Sequence, residues 1–216
     1  MKAHYKYISD REFEVLEKYT HSADKTTYEK FIIKHVANRI ELSIPEIFSA
    51  NFITYLGGLA LYLAAILAVY EGGLDYENAH VPAYVFLVAA LATQWFSMMD
   101  VADGIRARRL KCGSPLGRIV DEAGDSMNYS LMALILLYIV KMPPGWLTLG
   151  IAIINMPMFC MEMSFTLTGS LNINANDDLG PVEVELIISL IFLVAGIFGV
   201  EGMNSTLGWS FLPQWV

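Results

Sequence analysis

The sequence predicts an all-α integral membrane protein with about five transmembrane helices, preceded by an N-terminal amphipathic, interfacial helical segment. Three observations support this class. Of the 216 residues, 55% are apolar and only 17% are charged, whereas about a quarter are charged in soluble domains. The apolar residues form blocks near the roughly 20 residues that cross a bilayer as a helix. The basic residues concentrate on one side of those blocks.

Five apolar blocks are predicted to span the membrane. They lie near residues 51–70, 83–100, 126–141, 146–168 and 183–200. The third is short for a span, and the sequence KMPPGW at 141–146 forms a tight turn before the fourth. The chain therefore divides into an interfacial segment at 1–50, a transmembrane core at 51–204 and a short tail at 205–216.

Residues 1–50 are predicted to hold two helices. Ser9 and Glu12 have the spacing of a capping box, and a second helix is predicted from about Thr26 to Ile40. This second helix keeps one apolar stripe, formed by Tyr28, Phe31, Ile32, His35, Val36 and Ile40. The stripe would either lie in the headgroup plane or pack on the protein's own cytosolic surface, and the sequence leaves both open.

The charge distribution predicts orientation and excludes some partners. Of the 14 Lys and Arg residues, eight lie in 1–50, five in 101–125, and the last is Lys141. If the first two spans form a hairpin, the first two groups share a face, which the positive-inside tendency assigns to the cytosol or the mitochondrial matrix. The endoplasmic reticulum and the mitochondrial inner membrane both fit. The net charge of −8 argues against a nucleic-acid partner, and Cys112 and Cys160 lack the spacing of a zinc site.

Four aspartates lie at the membrane boundary, where ionised carboxylates are costly to desolvate. Asp100 and Asp103 are three residues apart at the end of the second span, and Asp121 and Asp125 are four apart at the start of the third. Each pair therefore shares a helix face. Carboxylate oxygens suit Mg²⁺ or Mn²⁺, which usually bind substrate phosphates as well. The alternative is a charged loop whose Asp and Arg residues pair in water, and spacing alone favours neither.

Small residues and a base accompany these pairs. Gly117 lies one turn before Asp121, and Gly104 and Ala107 hold equivalent positions on the other helix, where small residues let a ligand or a facing backbone come close. Arg108 is placed to clamp a phosphate. Three other basic residues are predicted to face the headgroups as solvated charges: Arg106, Arg109 and Lys111.

The complete pattern is Asp100-x2-Asp103-Gly104-x2-Ala107-Arg108-x8-Gly117-x3-Asp121-x3-Asp125. It resembles the signature of the CDP-alcohol phosphotransferase family. Four further segments resemble the eukaryotic choline/ethanolamine phosphotransferase branch of that family: LEKYTHSADKTTYEKFI, ANFITYLGGLALYL, GSPLGRIVDEAGDS and GPVEVELIISLIF. The likeness covers roughly residues 12 to 200 and is strongest at the signature.

The resemblance implies a site and a reaction. Asp100, Asp103, Asp121 and Asp125 would hold Mg²⁺ or Mn²⁺, with two ions in the family. A second group would contact the nucleotide or its phosphates: Asn51, Gly104, Ala107, Arg108 and Gly117. A lipid hydroxyl, such as that of diacylglycerol, would attack the CDP-alcohol and release CMP. Asp125 or Glu122 would take the hydroxyl proton.

Three differences from the branch leave a second class open. Glu122 stands where the branch usually has His, Met163 and Thr166 stand where it tends to have Trp and Tyr, and the family core has six spans against the five predicted here. The alternative is a catalytically weak or inactive homologue that binds lipid or nucleotide as a structural subunit of a larger membrane assembly, which could be mitochondrial. A homodimer is also open as the oligomeric state of the protein.

Four more polar residues keep two interpretations each. Asn51 would touch nucleotide or cap the first span. Glu162, inside the fourth span, is a functional acid or a protonated, hydrogen-bonded member of the bundle. Glu183 and Glu185 would cap the fifth span at its positive end or contact substrate.

Overall fold

The computed structural model describes residues 25–76, 78–141, 145–168 and 179–207. The elements in these ranges are α1 (Thr27–Ile32), a π-helical turn (Ile33–Ala37), α2 (Asn38–Ser43), α3 (Ala50–Gly72), α4 (Ala83–Arg109), α5 (Pro115–Val140), α6 (Gly145–Thr168) and α7 (Pro181–Leu207). The capping box predicted at Ser9 and Glu12 lies outside the described residues.

The all-α membrane class is confirmed. Among the described residues, four helices are long and apolar enough to cross a membrane: α3, α4, α5 and the part of α7 that ends at Met203. The 24-residue helix α6 coincides with the fourth predicted span. Helix α7 kinks at Gly199, where φ is 70°, a conformation that glycine adopts without steric cost.

Two helices extend past their predicted spans at the end that carries the aspartates. Helix α4 runs to Arg109 instead of ending near residue 100, and α5 begins at Pro115 instead of near residue 126. The Ser114 hydroxyl accepts a hydrogen bond of 3.0 Å from the Gly117 amide, and Pro115 takes the first helical position, where its missing N–H costs nothing. Apolar content underestimates the length of these helices because the ends that carry the aspartates are polar.

Helix α3 packs against both aspartate-bearing helices, α4 and α5, which contact each other at few positions. Two adjacent glycines allow this arrangement. A Cβ atom at Gly57 would lie 2.7 Å from the Met99 Cβ on α4, and one at Gly58 would lie 3.0 Å from the Asn128 Nδ2 on α5. Helix α3, which is the first predicted span, therefore lies against both helices that carry the aspartates.

The N-terminal segment packs on the protein's own bundle. Ile32 and Ala37 are buried together with Val101 of α4 and Val182 of α7. Tyr28 and Val36 pack against this cluster, whereas Phe31 is exposed. Of the two placements left open for the apolar stripe, packing on the protein is therefore supported for all of its residues except Phe31 and His35, which are exposed. Burial and the nearby Glu183 carboxylate raise the pKa of Tyr28.

Thr26 joins the start of α1 to the start of α7. The buried hydroxyl accepts a hydrogen bond of 3.0 Å from the Glu29 amide and donates one to the Glu183 carboxylate. Glu183 also accepts a hydrogen bond of 2.9 Å from the Gly180 amide. The capping interpretation of Glu183 is confirmed, since a side chain at the third helical position satisfies the amide before the helix.

We expect Thr26→Ala to loosen α1. The variant loses a helix N-cap, which is worth about 1 kcal/mol, and removes the hydroxyl that binds Glu183. Amide hydrogen exchange of residues 29–43 should therefore accelerate roughly ten-fold. Thr27→Ala is the matched control, since Thr27 is exposed and the capping hydroxyl remains. Equal acceleration in both variants would contradict the role of Thr26.

The predicted solvation of Arg106 is wrong. Its side chain is fully buried and donates to the Glu41 carboxylate. It also donates to the carbonyl oxygens of Pro45 at 3.1 Å, Phe48 at 3.0 Å, Glu41 at 2.9 Å and Ile44 at 2.6 Å. The last carbonyls of a helix have no partner within it, and the five donors of a guanidinium satisfy those at the end of α2 and in the turn to α3.

Arg109 takes part in the same anchor. Its guanidinium lies 2.9 Å from a Glu41 oxygen and 2.6 Å from a Glu46 oxygen. The hydrogen bond and positive charge of Arg109 hold the pKa of Glu46 below its usual value. Arg109 is thus a paired residue, and of the three bases predicted to be solvated only Lys111 is exposed without a described ion pair.

Candidate metal and nucleotide site

Three of the four aspartates meet in space. One carboxylate oxygen each from Asp100, Asp103 and Asp121 lies within 4.8 Å of the other two. Oxygens on opposite sides of a single Mg²⁺ are about 4.2 Å apart, so the three are spaced on the scale of one ion. The sequence predicted that the aspartates of α4 and α5 lie close together, and the polar ends of the two helices do meet at these residues.

Helix α3 fixes the deepest of the three carboxylates. The Asp103 side chain is buried and accepts a hydrogen bond from the Thr54 hydroxyl. A Cβ atom at Gly124 of α5 would lie 3.5 Å from the Thr54 methyl group, so Thr54 lies between the two aspartate-bearing helices. Thr54 was missed in the sequence, because a single Thr inside an apolar span gives no signal of function.

Asp125 lies one turn further along α5. It is not one of the three clustered carboxylates, but its side chain is within hydrogen-bonding reach of Asp100. It therefore lies beside the same acidic site, one turn deeper in α5 than Asp121. This position fits either a ligand of a second ion or a proton acceptor beside the first.

Two buried carboxylate oxygens test whether these residues suit a cation. Oδ1 of Asp121 and Oδ1 of Asp125 are buried and have no hydrogen-bond partner among the described residues. A buried carboxylate oxygen without a partner is costly, and a hard divalent cation with an oxygen preference would remove that cost. The donor set, which consists only of carboxylates, fits Mg²⁺ or Mn²⁺.

The small residues of the signature hold polar groups close to the cluster. A Cβ atom at Gly104 would lie 3.2 Å from an Arg108 guanidinium nitrogen, so the exposed Arg108 side chain folds back over Gly104. A Cβ atom at Gly117 would lie 3.5 Å from the Asn51 side-chain oxygen. Ala107 is half-buried on the same helix end.

Asn51 does not cap α3. The cap is Ser49, whose hydroxyl accepts a hydrogen bond of 3.3 Å from the Phe52 amide. The side chain of Asn51 instead faces the first turn of α5 at Gly117. The N-cap interpretation of Asn51 is therefore wrong, and the expected nucleotide contact stays a prediction.

Glu122 borders the site from the other side of α5. Its carboxylate lies 3.8 Å from the Arg118 Nε one turn earlier, and its side chain is 25% exposed. Its charge also interacts with Asp100 and Asp125. The ion pair with Arg118 orients the Glu122 side chain near the cluster.

Glu185 is a buried acid whose role could not be read from the sequence. It accepts a hydrogen bond of 2.8 Å from the Tyr129 hydroxyl, and its other oxygen has no partner among the described residues. Unlike Glu183, it does not cap α7. The packing of α7 against α4 and α5 buries it, and the contact with substrate that the sequence also allowed stays a prediction. The side chain of Glu162 lies outside the described part of the chain.

These features define an all-α integral membrane protein in which three helices build an acidic site at one membrane face. The family model of the CDP-alcohol phosphatidyltransferases matches residues 47–213, which is most of the chain. The chain therefore belongs to the CDP-alcohol phosphatidyltransferase family.

Curated relatives are similar over nearly the whole chain. An uncharacterised CDP-alcohol phosphatidyltransferase class-I family protein 2 of Dictyostelium discoideum is 25% identical over 96% of this chain and 51% of its own length. Ethanolaminephosphotransferase 1 of Mus musculus is 26% identical over 97% and 54%. Choline/ethanolaminephosphotransferase 1 of Saccharomyces cerevisiae is 26% identical over 90% and 49%. The chain thus spans about half the length of these relatives.

Proposed function

We propose that this protein transfers a phospho-alcohol from a CDP-alcohol of the CDP-choline or CDP-ethanolamine type to a lipid hydroxyl, such as that of diacylglycerol. The transfer releases CMP and belongs to phospholipid synthesis. The convergence of Asp100, Asp103 and Asp121 at one membrane face carries this proposal. Membership of the family and the activities for which the mouse and yeast relatives are named support it.

The aspartates would hold the cation and the pyrophosphate. Asp100, Asp103 and Asp121 are the first ligands, Asp125 completes the set, and Thr54 orients Asp103 through its hydroxyl. When bound, Mg²⁺ or Mn²⁺ supplies positive charge that stabilises the phosphate oxygens during transfer. Arg108 binds a phosphate oxygen through its guanidinium, and Asn51 contacts the nucleotide beside Gly117.

The reaction moves one phosphoryl group and one proton. The acceptor hydroxyl oxygen forms a bond to the phosphorus next to the alcohol, and the bond from that phosphorus to the oxygen of CMP breaks. Asp125 or Glu122 accepts the hydroxyl proton, since both carboxylates border the cluster and a base must lie within hydrogen-bonding reach of the group it deprotonates. The lipid acceptor enters from the bilayer beside the helix ends.

The location of the site follows from the basic residues. The aspartates lie at the end of the bundle that carries Arg106, Arg108 and Arg109, which the positive-inside tendency assigns to the cytosol or the matrix. We therefore place the active site on the cytosolic face of the endoplasmic reticulum or on the matrix face of the mitochondrial inner membrane.

The pairing of Glu122 with Arg118 favours a second candidate function. A carboxylate kept near a base at the position of the usual His is compatible with an inactive homologue that binds lipid or nucleotide within a larger assembly. The two candidates differ in whether the chain releases CMP, so a turnover measurement separates them.

Glu122 variants test the transferase. We expect slow, Mg²⁺- or Mn²⁺-dependent release of CMP from CDP-choline or CDP-ethanolamine with diacylglycerol, because unperturbed Glu is a weaker base than His. Glu122→Gln should lose most of the rate, roughly the 10²-fold that general base catalysis contributes at the low end, and Glu122→His should gain.

Arg118→Gln is the matched control for this test. It removes the ion pair and keeps the Glu122 carboxylate, so activity within a few-fold of the parent is expected if Glu122 acts on the proton. No CMP from any form, with folded and metal-loaded protein, would reject the transferase and leave the subunit function.

A further inference from the structure

A basic cavity lies between the N-terminal segment and the end of α4. Its volume is 530 Å³, and four cationic side chains line it: Lys25, Lys30, Arg108 and Arg109. Asn38 adds a side-chain amide to the same wall. No described carboxylate lines the cavity. This sets it apart from the aspartate cluster, whose α4 members Asp100 and Asp103 lie one to two turns before Arg108.

Two of the four cations have no counter-charge in the described part of the chain. Lys25 lies 2.5 Å from Glu29, and Arg109 pairs with Glu41 and Glu46. Lys30 and Arg108 form no ion pair with any described carboxylate. An anion in the cavity would therefore be attracted by two uncompensated positive charges.

The lining selects a phosphate group among anions. The planar guanidinium of Arg108 can donate two parallel hydrogen bonds to a phosphate, and Lys30 adds a point charge. The volume falls within the range of roughly 300–1,000 Å³ typical of small-ligand sites. Ile33 and Ile105 give the remaining lining an apolar part, which suits a ligand that continues into the bilayer. Basic pockets beside transmembrane helices on this membrane side bind lipid headgroups.

We infer that this cavity binds a phosphate group at the membrane interface, presented by an anionic phospholipid headgroup or by a free phosphate ester. The site is distinct from the aspartate cluster in charge and in the N-terminal residues that build it. It shares Arg108 with the proposed nucleotide site, so Lys30, which lines only this cavity, is the residue that tests it. The inference does not depend on the proposed transferase activity, because it needs neither divalent cation nor CDP-alcohol.

Lipid binding to the full chain in detergent micelles with EDTA tests the inference, since EDTA removes divalent cations from the aspartates. We expect one dioleoyl phosphatidic acid to bind per chain at least ten-fold more tightly than dioleoyl phosphatidylcholine. Lys30→Glu should weaken phosphatidic acid binding ten-fold or more. Lys34→Glu is the matched control: Lys34 is an exposed base nearby on the same segment that does not line the cavity, and its change should stay below two-fold.

Competition with inorganic phosphate shows whether the cavity needs a lipid or only a phosphate group. Displacement of the lipid by millimolar phosphate indicates that the phosphate group alone suffices, whereas phosphate that fails to compete indicates a requirement for the acyl chains; both outcomes support the cavity. Equal binding of the two lipids, or equal weakening by Lys30→Glu and Lys34→Glu, would overturn it. Lys30→Gln, which only neutralises the charge, should reduce the preference in the same direction and covers the case in which charge reversal prevents folding.

Discussion

Replacing Asp103 or Asp121 by alanine is expected to abolish metal-dependent binding of CDP-choline and CDP-ethanolamine. Both carboxylates belong to the group whose oxygens lie within 4.8 Å of one another, so each variant removes one of three converging carboxylates that are proposed to hold the metal. Even residues behind metal ligands are worth roughly 10- to 100-fold in affinity, and loss of a ligand itself should cost at least about 100-fold. Isothermal titration calorimetry with and without Mg²⁺ measures the effect.

The fold should survive these replacements. In the absence of metal the clustered carboxylates repel one another, so removing one relieves repulsion while it removes the hydrogen bond from Thr54 to Asp103. Asp103→Asn and Asp121→Asn keep the volume and should lose binding equally. Glu201→Gln is the control, because that exposed carboxylate lies at the far part of α7. If both aspartate variants bind nucleotide as the parent does, Asp103 and Asp121 do not hold the metal.

Arg106→Ala is expected to produce the largest loss of stability in the chain. Arg106 is 0% exposed and its partner Glu41 is 1% exposed, and breaking a buried ion pair by removing one member costs about 3–5 kcal/mol in free energy of unfolding. The variant also leaves the carbonyl oxygens of Pro45, Phe48 and Ile44 without their donor. Unfolding of the purified protein in micelles by denaturant measures the change.

Two further variants make this stability test specific. Arg39→Ala removes an exposed base from α2 and should change the free energy of unfolding by less than about 0.5 kcal/mol, as surface substitutions usually do. Glu41→Gln keeps the acceptor and removes the charge, so it should destabilise the protein less than Arg106→Ala does. An unfolding curve for Arg106→Ala that matches that of Arg39→Ala would show that the anchor is not needed.

Much of the architecture could be predicted because it depends on local properties. Apolar blocks predicted α3, α4, α5, α6 and α7, since the length of a helix that crosses a bilayer is fixed by the bilayer. The polar ends of α4 and α5 were underestimated, because apolar content cannot follow a helix into water. The Ser114-Pro115 start signal was present in the sequence, and it could have moved the predicted start of α5 to the observed residue.

The candidate site was predictable where its residues share a helix. Spacings of three and four residues place Asp100 with Asp103, and Asp121 with Asp125, on common faces whatever the rest of the chain does. Arg108 and Gly104 are likewise one turn apart, and the Arg108 guanidinium lies directly over Gly104. The sequence could not say which carboxylates of the two pairs converge, since that depends on how two separate helices meet.

What the sequence determined by itself is therefore the set of membrane helices and the two aspartate pairs. Helical periodicity and the cost of placing charge in lipid act within each segment, so neither depends on how the segments pack. Only the tertiary structure decided that α3 packs on both aspartate-bearing helices and supplies Thr54. It also decided that Arg106 is buried while Arg108 is exposed. These two arginines look alike in sequence. Their roles diverge because residues 41–48 return to cover one face of α4, and a side chain's partners depend on what packs against its face.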